Sequence, residues 1–294
     1  MNADPLLVAV PNVSEGRSAT AIERVEKAFL PARFLDLHAD PDHGRAVFTL
    51  AAPQGELSDG LVSGAAEAVE TIDLTRHEGL HPFIGALDVM PVIYRGEAER
   101  GRACAEALTA AARIGAELEV PVFLYGELAS SPEHRERAWL RKGGWRHLAG
   151  RMKTGEVRPD FGPARAHPTA GAVLATARPP LVAFNVDLVS DDVELAREIA
   201  AELREAGGGL PGVRAMGLFL EERGRAQVST TVHAPSSTPL RLVVEAVRGR
   251  AEVAEAELVG LAPAAAFDRF PEDVPLRGFS PERHLLENAL RSLS

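Results

Sequence analysis

The sequence predicts an α+β protein of two tandem βαββαβ-like subdomains, each a sheet with helices packed on one face, with a ligand cleft between them. Three observations point there. The order strand, helix, hairpin of strands, helix, strand occurs once in each half. The halves also begin alike: Leu7-Val8-Ala9-Val10-Pro11-Asn12-Val13-Ser14 and Leu181-Val182-Ala183-Phe184-Asn185-Val186-Asp187-Leu188-Val189-Ser190 both run from β-rich residues to a capping serine. Pro179-Pro180 then breaks the chain between them. The boundary is set at residues 1–177 and 178–294, and 294 residues suit two domains of ordinary size. One larger α+β domain without duplication is the alternative.

The strand at Leu6–Val10 ends at Pro11, and a helix starts near Ser18 with Ile22, Val25, Ala28 and Phe29 at helical spacing. Ser14 lacks the first glycine of a nucleophile elbow and reads as a helix cap. Phe34–His38 and Ala46–Ala51 form a hairpin around the turn residues 39–44. A helix over 55–72, a strand over 87–94, a helix over 97–118 and a strand over 120–125 follow. Residues 126–180 read as a partly helical connection carrying loops, a kind of segment that often holds function. In the second half a strand at 181–188 precedes a helix capped by Ser190 or Asp191 and ended by Gly207-Gly208-Gly209. Strands at 213–221 and 226–233 turn at Arg223-Gly224-Arg225, a helix covers 238–250, a strand lies within 253–261, and a terminal helix spans 281–293.

Composition excludes several classes. A net charge of −10 disfavours nucleic acid, since phosphate binding needs a basic surface. No apolar run approaches a membrane span, and the start shows no basic-then-apolar leader. Cys104 is the only cysteine, which rules out an internal disulfide and fits a reducing cytoplasm.

The chemistry concentrates in Thr75-Arg76-His77-Glu78-Gly79-Leu80-His81-Pro82-Phe83-Ile84-Gly85-Ala86-Leu87-Asp88. His77-Glu78-Gly79-Leu80-His81 matches the zinc signature H-E-x-x-H, so a zinc hydrolase using His77 and His81 is one reading. That signature needs a continuous helix to put both imidazoles on one face. Gly79 disfavours the helix and Pro82 pushes His81 toward extended geometry, so a loop without a metal is expected. Four of nine histidines, His38, His43, His77 and His81, fall in this early region, and histidine carries protons near neutral pH. His43 and His77 read as solvated turn residues, whereas His81, stiffened by Pro82, is the functional candidate. Gly162 to Gly171 has no phosphate-loop spacing. Its glycines, with Arg165 and His167 as donors, could line a flat ligand such as a pterin, or it is a surface loop.

Together these segments resemble the formiminotransferase domain family. The carrying motifs are Val10-Pro11-Asn12-Val13-Ser14-Glu15-Gly16-Arg17, Arg76-His77-Glu78-Gly79-Leu80-His81-Pro82 and Gly85-Ala86-Leu87-Asp88-Val89. Pro121-Val122-Phe123-Leu124-Tyr125-Gly126-Glu127 and Pro159-Asp160-Phe161-Gly162-Pro163 follow in order, then Gly209-Leu210-Pro211-Gly212-Val213 and Glu257-Leu258-Val259-Gly260-Leu261. The resemblance implies a cytoplasmic homodimer that moves a formimino group from N-formiminoglutamate to N5 of tetrahydrofolate in histidine degradation, with no metal. It puts the catalytic histidine at His81, the folate segment on Gly162, Pro163, Arg165, His167, Thr169 and Gly171, and substrate binding on His38 and Arg45. The chain departs from the family pattern at three points. Many members have arginine where it has Phe83, asparagine where it has Gly44, and glutamate where it has Gly144. Loss of a guanidinium at position 83 removes a candidate carboxylate clamp. The alternative is therefore a diverged folate-binding homologue, inactive or using another one-carbon donor.

Overall fold

Proline at position 11 splits the first strand, because it brings no N–H to the ladder. In the computed structural model, which describes residues 6–293, Leu7–Ala9 (β1) and Asn12–Val13 (β2) are two halves of one line. Both pair antiparallel with Arg45–Ala52 (β4) and Leu87–Ile93 (β5), and Arg33–Asp40 (β3) pairs with the outer edge of β4. Helices Ala19–Ala28 (α1) and Glu56–Thr71 (α2) complete the first βαββαβ unit.

Val122–Leu124 (β6) and Val173–Arg178 (β7) extend this sheet to seven strands, with β7 parallel to both β5 and β6. β7 lies inside the segment read from sequence as a connection. Val173-Leu174-Ala175-Thr176-Ala177 is buried on both faces, so no alternation advertises a strand.

Glu97–Glu117 (α3) joins α1 and α2 over one face of this sheet, where Phe29, Leu57, Leu61, Ala107 and Ile114 meet Leu7, Phe48, Leu50 and Met90. Full burial of rings such as Phe29 and Phe48 contributes roughly 2–3 kcal/mol each. α2 begins at Gly55, which offers no capping side chain, and Glu106 of α3 supplies one by accepting from Gly55 N at 2.9 Å and Ser58 N at 2.8 Å. On the other face, Arg137–Arg141 (α4) and Gly144–Thr154 (α5) pack Leu140, Leu148 and Met152 against Ile84, Val89, Phe123 and Leu174.

The second unit repeats the plan in miniature. Val182–Leu188 (β8), Val193–Leu203 (α6), Val213–Leu220 (β9), Arg225–Val232 (β10), Leu240–Arg248 (α7) and Val253–Val259 (β11) form a sheet of order β11-β8-β10-β9. The equivalent order in the first unit is β5, β1/β2, β4, β3. By contacts the chain divides into Met1–Pro179 and Pro180–Ser294, each with its own core.

Several local expectations need correction. Ser14 does not cap α1; Ser18 does, accepting from Ala21 N at 3.3 Å. Asp192, not Ser190 or Asp191, caps α6. The terminal helix breaks into Pro281–His284 (α8) and Leu286–Arg291 (α9), because Leu285 is extended. Among the described residues, no helix is long and apolar enough to cross a membrane.

Candidate active site

The segment between α2 and β5 is held by its neighbours rather than by a helix of its own. Asp73 caps one 3-10 turn, Leu74–Arg76, and His77 is already extended at ψ 134°. His77 and His81 therefore lack the helical i,i+4 geometry of the zinc signature. Leu80 N and His81 N donate to the carbonyls of Asp42 and His43 at 3.1 and 3.3 Å, which stitches the loop to the β3–β4 turn. That close approach requires Gly44, where a Cβ would stand 2.6 Å from Gly79 Cα. At the loop's far end Ser14 Oγ donates to Gly85 O at 2.7 Å and Ser14 N to Ala86 O at 2.9 Å. The hydroxyl read as a cap is thus a loop anchor.

His81 meets two unlike partners at one ring nitrogen. Arg45 Nη1 lies 2.9 Å from Nδ1, and the Pro82 carbonyl oxygen lies 2.8 Å from it. The guanidinium can only donate and the carbonyl only accept, so each contact selects one tautomer. With Nδ1–H donating to the Pro82 carbonyl, Nε2 keeps a lone pair and can accept a proton; with Arg45 donating to Nδ1, Nε2 carries the hydrogen and can only give it. Burial pushes the His81 pKa well below its ordinary value, and the cations Arg45, Arg141 and Arg137 push it further down. The sequence suggested a ring titrating near the working pH; the structure holds it neutral.

Behind His81 stands a buried ion cluster that no motif announced. Arg45 Nη1 donates to Asp88 Oδ2 at 2.8 Å, Arg45 Nε to Asn12 Oδ1 at 2.9 Å, and Arg141 Nη2 also reaches Asp88 Oδ2. Ile84 N donates to the other carboxylate oxygen at 2.8 Å. Burial raises the Asp88 pKa, but Arg141 and Arg45 outweigh it, so the carboxylate stays below the usual range. Burial lowers Arg45, and it pushes Arg141 down to about 9.

A cavity of about 480 Å³ opens on His81 and is lined by Gly79–Phe83 on one side and Arg141 with Gly143–Arg146 on the other. That size suits a small ligand. Trp145 and Phe83 give it flat walls. Arg141 Nε and Trp145 Nε1 are buried donors without a partner. Gly143 and Gly144 both adopt positive φ, which lets the chain turn from α4 into α5 beside the cavity.

Of the residues singled out from sequence, Arg45 and His81 come together. His38 lies on β3 opposite Val47, whereas Arg45 pairs in register with Asp40 at the turn. His43 is buried rather than solvated, 7% exposed, with its ring centroid 6.3 Å from that of His81. His77 is half-buried and stacks edge-on against Phe83 at 4.3 Å. Gly162–Gly171 does not line the cavity above. It joins the His81 loop through its backbone, by Leu74 N to Thr169 O and Ala86 N to Ala170 O, both 2.9 Å, and it folds on itself between His167 and Gly171. Gly162 packs against Gly115 of α3, and Arg165 is exposed. Sequence reasoning missed Asp88, Arg137 and Arg141, whose only signal is their place in or near family-like motifs.

Comparison with known proteins adds a second line of evidence. Residues 6–178 match the Formiminotransferase domain, N-terminal subdomain, and residues 183–269 match the Formiminotransferase domain. The chain is 33% identical over 294 residues to the glutamate formimidoyltransferase of Streptococcus pyogenes serotype M1, covering 97% of this chain and 98% of that one. It is 32% identical over 296 residues to the glutamate formimidoyltransferase of Thermoplasma acidophilum, covering 97% of each. It is 38% identical over 277 residues to the formimidoyltransferase-cyclodeaminase of Mus musculus, covering 89% of this chain but only 51% of that longer protein.

Proposed function

The chain belongs to the formiminotransferase domain family and is a transferase of that type, and from this premise we propose that it moves the formimino group of N-formiminoglutamate to N5 of tetrahydrofolate, with His81 as general acid and base. The observation that carries the reading is a neutral imidazole at the cavity wall, with Nδ1 on the Pro82 carbonyl and Nε2 free to take a proton. The donors and flat walls of the cavity suit a polar-edged ring such as a pterin.

His81 Nε2 takes the proton that N5 sheds as N5 bonds to the amidine carbon. It returns that proton to the glutamate nitrogen as the old carbon–nitrogen bond breaks, so the formimino group leaves with N5. A depressed pKa makes the ring a ready acceptor without prior deprotonation and its conjugate acid a strong donor to the leaving nitrogen. The Pro82 carbonyl, accepting from Nδ1–H, holds the tautomer that leaves Nε2 free to take the proton, and the protein's other contribution is to hold two substrates in contact. In this reading His38 and Arg45 attend the substrate, residues 162–171 attend the folate, and the enzyme acts in the cytoplasm as a homodimer within histidine degradation.

The test is formimino transfer measured with tetrahydrofolate and formiminoglutamate. His81→Ala should lower kcat by roughly 10²- to 10⁴-fold with folate binding retained. Turnover at the wild-type rate in that variant sinks the assignment. A second reading, the same fold serving another one-carbon donor, is motivated by Phe83, which packs on His77 where a guanidinium is common. It predicts no transfer from formiminoglutamate and a gain of transfer in Phe83→Arg.

A further inference from the structure

Beside the cluster around Asp88 stand two further cations, Arg137 and Arg178. Arg45 and Arg141 already share that carboxylate. Arg137, one turn before Arg141 on α4, sits with its Cζ 5.9 Å from the centroid of the Tyr125 ring. Arg178, at the end of β7, lies near Tyr125 and donates to the Pro179 carbonyl at 3.0 Å. Among the described residues, neither Arg137 nor Arg178 meets a carboxylate. Arg141 Nε is likewise buried with no acceptor. Burial pushes the Arg178 guanidinium down to about 10, with Arg137 adding to the effect, as it does for Arg141.

Arg45 and Arg141 are buried and Arg137 and Arg178 half-buried, so their like charges are only partly hydrated and a counter-anion would relieve their repulsion. Among the described residues the carboxylate paired with this group is Asp88, and its two oxygens are taken by Arg45, Arg141 and Ile84 N. A flat fork of N–H groups beside a phenol suits a planar carboxylate, which it can bind through two parallel hydrogen bonds. Arg141, one turn along α4 from Arg137, lines the cavity at His81, whereas Arg137, Tyr125 and Arg178 lie outside its lining, so an anion held here would be one end of a molecule that extends past Arg141 to the imidazole.

We propose that Arg137, flanked by Arg141 and Arg178 over Tyr125, is a subsite for a substrate carboxylate and supplies from α4 the guanidinium that Phe83 does not. This rests on the transfer reading above. The carboxylate comes either from the one-carbon donor or from the glutamate tail of the folate. Both present the same chemistry, and steady-state kinetics separate them.

Arg137→Gln should raise the KM of one substrate by roughly tenfold to a hundredfold, the worth of a charge-assisted hydrogen bond, while kcat changes less than threefold. A rise for formiminoglutamate assigns the donor, and a rise for tetrahydrofolate assigns the tail. Arg137→Lys, which keeps the charge and loses the fork, should recover part of the loss. If both KM values stay within twofold of wild type, the subsite is wrong and the transfer reading stands. Glutamate binding by calorimetry gives a readout free of turnover. Weakening by tenfold or more in Arg137→Gln supports the subsite even if wild-type protein fails to transfer, and unchanged affinity overturns it.

Discussion

Residues 41–44 turn β3 into β4 in the first unit, and residues 221–224 turn β9 into β10 in the second. Both turns end on a glycine of positive φ, 61° at Gly44 and 60° at Gly224, and in both an arginine follows. Around Gly224 nothing stands within 4 Å of a would-be Cβ, whereas Gly44 is pressed against Gly79 and His77. Arg225 is 42% exposed, with Glu255 at 3.8 Å, whereas Arg45 is 8% exposed and bound to Asp88 at 2.8 Å. What differs is the connection after the second helix of each unit: residues 72–86 in the first, residues 249–252 in the second. A repeated turn and arginine become a candidate site only where a long loop folds over them and excludes water. Fold topology is shared between the units, and chemistry follows the loops.

The largest test of this contrast is a paired truncation. Arg45→Ala strips a buried carboxylate of one of its two cations and leaves Asn12 Oδ1 without its donor, at a cost of about 3–5 kcal/mol. Arg225→Ala breaks one long, exposed pair and should cost below about 1 kcal/mol. Urea titrations of both variants decide it, and equal losses would erase the distinction.

The glycines give a smaller effect. Gly224→Ala meets only the left-handed backbone and should cost about 1 kcal/mol. Gly44→Ala adds a backbone collision with Gly79 and should cost about 3 kcal/mol while moving the His81 loop. Transfer activity should therefore fall in Gly44→Ala and hold in Gly224→Ala.

The smallest effect is acid sensitivity, and it should belong to the first unit. His77, His81, His134 and His167 all have lowered pKa values, each with burial as the leading cause, and all lie there. A lowered value means that the unfolded chain takes up protons first as pH falls. The stability linked to these neutral rings is full above about 6.5 and is lost as pH drops toward the folded values. Trp139 and Trp145 are the only tryptophans and both report on this unit, so their fluorescence during denaturation at pH 7.5 and 5.5 reads the change. His81→Gln should reduce it. By the same sign, the acid limb of kcat/KM should fall below pH 6.5, and a limb at or above 7 would contradict a neutral His81.

The chain's own pattern determined the repeated βαββαβ order, the start of α1 at Ser18, both hairpins, and a non-helical His81 loop. Each of these is local, resting on strand and helix periodicity, glycines at left-handed turns, and the restriction that Pro82 puts on its neighbour. Sequence similarity to a family brought His81 forward as well. The rest needed tertiary structure, because it depends on residues far apart in the chain. β7 stayed hidden since a strand buried on both faces has no alternation, and Ser14 changed from cap to anchor because Gly85 lies beside it only in the fold. Asp88 and Arg141 are 53 positions apart, and nothing in their spacing joins them. Burial then converted ordinary side chains into a neutral histidine and arginines of lowered pKa, since it penalises charge.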